Sequence, residues 1–246
     1  MKSNRIIYIF IFVVFPFLLA AQTKETKLSF GISFSPDYAY RYLHTNNDPS
    51  QTVSMRNKLE SSRLGFSTGL VAKYQLKKKW AVISGIQFRD KGEKIELDKE
   101  DFIGSYELEN YDINIQQDPL IPNNLKTKFH YYYLGIPLKL NYYFSERRVR
   151  LFASAGISAD FFLYGKMKYI SEYTNRTERG TDDLDNNFHT VNFTGLTGVG
   201  LQTNITKQLR FCFEPVFRYA FTPLVDAPLK QHPYSIGANI VLMRNW

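Results

Sequence analysis

The sequence predicts an all-β protein: a transmembrane up-and-down antiparallel β-barrel of eight strands, with ten as the alternative count, after an N-terminal signal peptide. Three observations predict it. The segment before the end alternates strictly, with Tyr234, Ile236, Ala238, Ile240 and Leu242 set against Ser235, Gly237, Asn239, Val241 and Met243, and Trp246 closes the sequence. A strand that shows lipid one apolar face and ends in an interfacial ring has this form. Polar connections alternate long and short along the chain, as outer loops and periplasmic turns of such barrels do. The N-terminus carries an export leader, in which Lys2 and Arg5 precede an apolar run from Ile6 to Ala20 and the small pair Ala20 and Ala21. That run is shorter than the roughly 20 residues a spanning helix needs and contains Pro16, so cleavage near Ala21 is expected. This assigns residues 1–21 to the signal peptide and 22–246 to one barrel domain.

The elements follow in order. Leu28, Phe30, Ile32 and Phe34 alternate with Ser29, Gly31, Ser33 and Ser35, a first strand expected to break at Pro36. The second puts Leu64, Phe66, Leu70, Ala72, Tyr74 and Leu76 on one face and Gly65, Ser67, Gly69, Lys73 and Gln75 on the other. A short turn, Lys77 to Lys79, leads to a third strand with Trp80, Val82, Ile86 and Phe88 outward and Gly85, Gln87 and Arg89 inward. A long polar excursion from Asp90 to Lys128 follows, within which Ile95 to Leu97 and Tyr106 to Ile115 could extend strands or add a hairpin. The fourth strand runs from about Phe129 to Phe144 and the fifth from about Val149 to Gly165, whose small face is Ser154, Gly156 and Ser158. Lys166 to Phe188 reads as a second excursion. In the sixth strand Val191, Phe193, Val199 and Leu201 oppose Thr194, Gly198, Gly200 and Gln202. The seventh places Leu209, Phe211, Phe213, Phe217 and Phe221 outside and Arg210, Cys212, Glu214 and Arg218 inside, and a loop from Thr222 to Pro233 precedes the eighth. Pro137 and Pro215 fall inside strands, where proline cannot donate to a ladder, so a bulge is expected beside Gly135.

Composition agrees. Mean hydropathy of −0.30 with 44% hydrophobic residues suits a barrel that shows lipid only alternate side chains, and the 20 Phe and 17 Tyr would supply two girdles. The net charge of +8 drops to near +6 once the leader's two cations are removed. Its basic residues sit at strand ends rather than on one face among stacking aromatics, which argues against nucleic-acid binding. The short turns are basic (Lys77, Lys78, Lys79, Arg147, Arg148, Arg150, Lys207 and Arg210), while Asp90 to Lys128 holds ten acids and five lysines. The basic turn rim suits phosphate head groups of the inner leaflet. Cys212 is the only cysteine, so no internal disulfide forms.

Two segments carry a resemblance. Tyr133 to Phe144, YLGIPLKLNYYF, and Trp80 to Gly92, WAVISGIQFRDKG with its central Gly85 and closing Lys91 and Gly92, are similar to strands of the PorT-like outer-membrane β-barrel family. Members often carry Glu before the Ile-Pro pair, where this chain has Gly135. The resemblance implies an integral outer-membrane barrel, with some members linked to protein secretion.

Alternation places Lys73, Arg89, Lys139, Asp160, Glu214 and Arg218 inside, where a lumen of eight strands is just wide enough to be filled by side chains. They are read as a structural salt-bridge network rather than a gate. His44, His130, His189 and His232 lie near strand ends on the long-loop side without ligand spacing, so no metal is expected. Ser158, Asp160 and His189 could be arranged into a rim hydrolase, but no nucleophile motif frames the serine, and the chain is read as non-catalytic. Gly195 to Gly200 resembles a phosphate loop only superficially, since no helix follows. The expected role is membrane anchor, surface-interaction or secretion-associated component, with a lipid- or peptide-modifying enzyme or a narrow passive pore as alternatives. The expected partners are outer-membrane lipid, a secretion or surface partner, and the barrel-assembly machinery. The last would read Ile240, Leu242 and Trp246 as a C-terminal signal. The barrel is expected to be monomeric, with no cofactor.

Overall fold

A computed structural model describes residues 27–45, 50–99, 122–145, 148–184, 188–225 and 229–245. Residues 1–21, expected to be a leader, and Trp246 lie outside them, as does Tyr106 to Ile115. The elements are β1 (Leu28–Thr45), α1 (Ser50–Leu59), β2 (Glu60–Lys77), β3 (Trp80–Lys91), β4 (Glu93–Asp98), β5 (Asn124–Tyr143), β6 (Val149–Glu172), β7 (Thr177–Asp183), β8 (Val191–Asn204), β9 (Leu209–Ala220) and β10 (Leu229–Asn245).

All pairings are antiparallel. Each wall strand pairs with the next in the order β1, β2, β3, β5, β6, β8, β9 and β10, and β10 returns to β1, so the barrel closes on eight strands. The alternative count of ten has a physical origin in two further segments. β4 continues β3 past Gly92 in the same slot between β2 and β5. Among the described residues β7 pairs only with β6, forming a hairpin beyond the wall. Gly92 sits at φ +147°, and a Cβ there would lie 2.0 Å from the Phe129 carbonyl oxygen, so only glycine fits this joint.

The outside is apolar and the inside polar, the inverse of a soluble domain. Leu64 is 73% exposed and Leu70 65%, and Phe30, Ile32, Phe34, Leu138, Ile157, Val199, Ile236, Ile240 and Leu242 join them on the outer surface. An apolar band this extensive is stable only against hydrocarbon. Aromatic contacts mark its two edges. Trp80 packs on Tyr142 at 4.8 Å at the short-turn end, and Tyr132 packs on Phe88 at 5.5 Å and on Tyr164 at 4.6 Å at the other.

Several predicted boundaries move. β1 does not break at Pro36 but runs to Thr45, and β10 begins before Pro233. No bulge forms beside Gly135. Instead Pro36, Pro137 and Pro215 each leave a gap of two pairs in one ladder with the register unchanged, between β1 and β10, β3 and β5, and β8 and β9 respectively, while Pro233 near the start of β10 stays paired with Arg41. One missing donor is thus absorbed without moving any side chain to the other face. The register does shift at Tyr132/Tyr133, where β6 contributes Leu163 as an extra residue. The excursion from Lys166 is largely strand, comprising the end of β6 and β7, and Ile95 to Leu97 belongs to β4. The helix α1 had no clear signal in sequence.

Candidate functional site: the charged lumen

Period-two alternation delivers every inward residue of the wall to one narrow interior, so residues distant in sequence meet there. The short-turn end is sealed by apolar packing of Val71, Ala81, Tyr143, Phe152, Cys212, Val241 and Met243. Lys73 lies over this plug. Its ammonium donates to the Tyr143 hydroxyl and the Gln202 amide oxygen, both at 2.6 Å, and sits 4.6 Å from the Tyr143 ring centroid. The expectation that every interior charge has an opposite partner fails here, because hydroxyl, amide and ring face stand in for a carboxylate.

Above it, Lys139 on β5 meets Glu214 on β9 at 2.6 Å, and Ser154 and Asn239 also donate to that carboxylate. Arg218 pairs with Asp37 at 2.7 Å, an anion missed in sequence because the first strand was ended at Pro36. Ser35 and Ser67 donate to the same aspartate. Continuing the alternation Ser33, Ser35, Asp37 through the proline would have found it. Arg89 pairs with Asp160 at 2.7 Å, and Lys91, assigned to a loop in sequence, joins the same carboxylate at 2.7 Å. Ser158 and Thr194 complete its shell at 2.7 Å each. All six predicted interior residues are buried in the lumen; Arg89, Lys139 and Arg218 pair with three carboxylates, Asp160, Glu214 and Asp37, where two were foreseen, and Lys73 pairs with none.

Gly135 explains its own identity. It is the cross-strand partner of Asp160, and a Cβ at 135 would lie 2.7 Å from the Asp160 carboxylate and 3.0 Å from the Arg89 guanidinium. The carboxylate of this rung comes from Asp160 on β6, and position 135 on β5 leaves the room for it.

At the outer mouth Arg41 donates to Glu60 at 2.6 Å, and Glu93 accepts from Tyr131 and Gln231 at 2.9 Å each. Outward residues of β4 (Lys94, Glu96 and Asp98) are charged, so this level lies beyond the hydrocarbon. Burial there raises the Glu93 carboxyl above its ordinary range against the opposing hydrogen bonds from Gln231 and Tyr131. Tyr131, Tyr133 and Leu224 pack beneath with Phe162, Leu184 and Phe188, a second apolar closure.

The hydrolase constellation is not assembled. Asp160 is filled by Arg89, Lys91, Ser158 and Thr194, leaving no position for a histidine, and His189 meets Leu224 through its backbone. His130 bonds Asp90 at 3.1 Å, and His232 bonds the Ala220 carbonyl at 3.0 Å. Among the described residues no group of three or more His, Cys, Asp or Glu is placed to hold a metal.

A closed antiparallel wall, apolar outside and charged inside, defines an integral membrane β-barrel. The chain belongs to the outer membrane protein beta-barrel domain family, whose model matches residues 20–226, and the family places it in the outer membrane. Solved structures similar to it include Neisserial surface protein A (12% identity, covering 89% of this chain and 97% of that one, TM-score 0.40). OprG from Pseudomonas aeruginosa is similar at 9% identity, 89% and 94% coverage and TM-score 0.41. The outer membrane protease OmpT from Escherichia coli is similar at 7% identity, 89% and 96% coverage and TM-score 0.43. No curated protein matches the sequence.

Proposed function

We propose that this barrel is a non-catalytic, non-conducting, monomeric scaffold that acts through its outer face, as an anchor and surface-interaction component. The observation that carries this reading is the filled lumen. Three cross-lumen ion pairs lie between two apolar closures, while β5, β6 and β7 extend sheet past the outer aromatic belt. Recognition surface is thus concentrated outside the membrane. Within this class, the likeness of Tyr133 to Phe144 to PorT-like barrels favours a secretion-associated role. Assembly would proceed through the barrel-assembly machinery acting on the outward Ile240 and Leu242 with Trp246.

Planar-bilayer recording of the purified chain tests the lumen: no discrete conductance steps are expected, and steady open steps would favour the passive pore instead. Replacing residues 168–181, the outer part of the β6–β7 hairpin, with a short Gly-Ser link between the paired Met167 and Asp182 tests the outer face. The barrel should still fold while surface association in cells is lost, and unchanged association would remove the hairpin from the proposal.

A further inference from the structure

The outward face of the sheet above the upper aromatic belt sorts charge by height. Residues opposite one another in a ladder share a face. The first rung above Tyr132 and Tyr164 holds His130, Lys166 and Asp183. The next holds Lys94, Lys128 and Lys168 side by side on β4, β5 and β6, followed by Thr181. The third holds Glu96, Lys126, Ile170 and Arg179, and the fourth turns acidic with Asp98 and Glu172. The first three rungs thus set six Lys and Arg side chains against two carboxylates. Both carboxylates lie in half-exposed pairs, Lys94 with Glu96 at 3.1 Å and Lys166 with Asp183 at 4.0 Å, and such pairs neutralise little. Among the described residues no carboxylate lies within 4.0 Å of Lys126, Lys128 or Lys168.

Three lysines directly opposite one another repel, and such a rung destabilises a sheet unless an anion bridges it. Its height says which anion. At about 3.3 Å per residue and a tilt of about 40°, two residues along a strand raise a side chain by roughly 5 Å. The first two rungs therefore stand roughly 5 and 10 Å above the belt, and a head-group layer is about 5–7 Å thick. Flexible lysine stems can lower the second rung's ammonium groups into it. Short turns mark the opposite, periplasmic end, so this layer belongs to the outer leaflet.

We propose that the Lys94–Lys128–Lys168 rung, with Lys166 and Lys126 beside it, binds the phosphates of the phosphorylated glycolipid that forms the outer leaflet. The inference is independent of any protein partner. The test uses the full-length refolded barrel in zwitterionic detergent, titrated with diphosphorylated lipid A and with its dephosphorylated form, bound lipid being counted by native mass spectrometry. Lys94→Gln, Lys128→Gln and Lys168→Gln are combined. At about fivefold in affinity per lysine near a charged surface, the triple variant should bind the diphosphorylated form about a hundredfold more weakly. Its lipid-free unfolding midpoint should equal or exceed that of the unaltered chain, since repulsion has been removed. Combined Lys77→Gln, Lys78→Gln and Lys79→Gln at the other end should leave affinity unchanged. Unaltered binding by the rung variant would overturn the proposal. So would equal binding of the dephosphorylated lipid, or equal competition by phosphatidylglycerol.

Discussion

Truncating Glu214 to alanine should destabilise the barrel by about 3–5 kcal/mol, the range for removing one member of a buried ion pair. The geometry sets the scale. The carboxylate takes both oxygens to Lys139, at 2.6 and 2.9 Å, and also accepts from Ser154 and from Asn239 at 3.0 Å. Lys139 is only 7% exposed and has no other carboxylate among the described residues, so it would be left as a buried, uncompensated charge. Replacing both partners, Glu214→Leu with Lys139→Met, removes the charges together and should be near neutral or stabilising. Equilibrium urea unfolding in lipid vesicles, followed by tryptophan fluorescence, measures both variants, and adding Glu214→Leu alone and Lys139→Met alone closes the cycle that gives the coupling energy. A loss below about 1 kcal/mol in Glu214→Ala, or a double variant as damaged as the single one, would refute the structural role argued for this pair. Altered conductance at an unchanged unfolding midpoint would point to a gate instead.

Because Gly135 faces Asp160 across the ladder, Asp160→Ala should lose several kcal/mol, and adding Gly135→Glu should recover much of it by returning a carboxylate to Arg89 from the partner strand; unfolding midpoints decide this. In the background of intact Asp160, Gly135→Ala alone should cost about 1–3 kcal/mol by overpacking. Lys73→Met leaves the 2.9 Å Tyr143–Gln202 hydrogen bond in place and adds to the apolar plug, so it should hold or raise stability, measured by the same unfolding. Cys212 is 4% exposed within that plug, so a maleimide should label it only after urea unfolding, as a mass shift would report.

Much of the wall was legible because a barrel encodes its two faces by parity alone. Parity places Lys73, Lys139 and Glu214 inside, and Phe30, Leu70 and Ile240 outside. What failed was punctuation. Proline reads as a strand terminator, yet at Pro36 a closed wall with a partner on both sides tolerates one missing donor, and the strand continues to Asp37. Polarity reads as loop, yet above the bilayer a strand needs no apolar face, so Lys91, β7 and the upper part of β6 escape the pattern, and β4 shows itself only through Ile95 to Leu97. Pair identity was not legible either. Arg89 and Asp160 lie 71 residues apart, and nothing in period two says which inward cation reaches which inward anion. The joint at Gly92 and the extra residue Leu163 each shift how neighbouring strands face one another, and both depend on the partner strand rather than on local sequence.

The unequal lengths of the strands have a consequence of their own. β6 spans 24 residues and β5 spans 20, whereas β9 spans 12, so the rim stands as a parapet on one side and falls low on the other. Around a uniform cylinder, azimuth is immaterial. Here it decides whether a molecule gliding in the membrane plane meets a charged palisade or bare aromatic wall, so rotation about the bilayer normal becomes part of how this barrel is read by its surroundings.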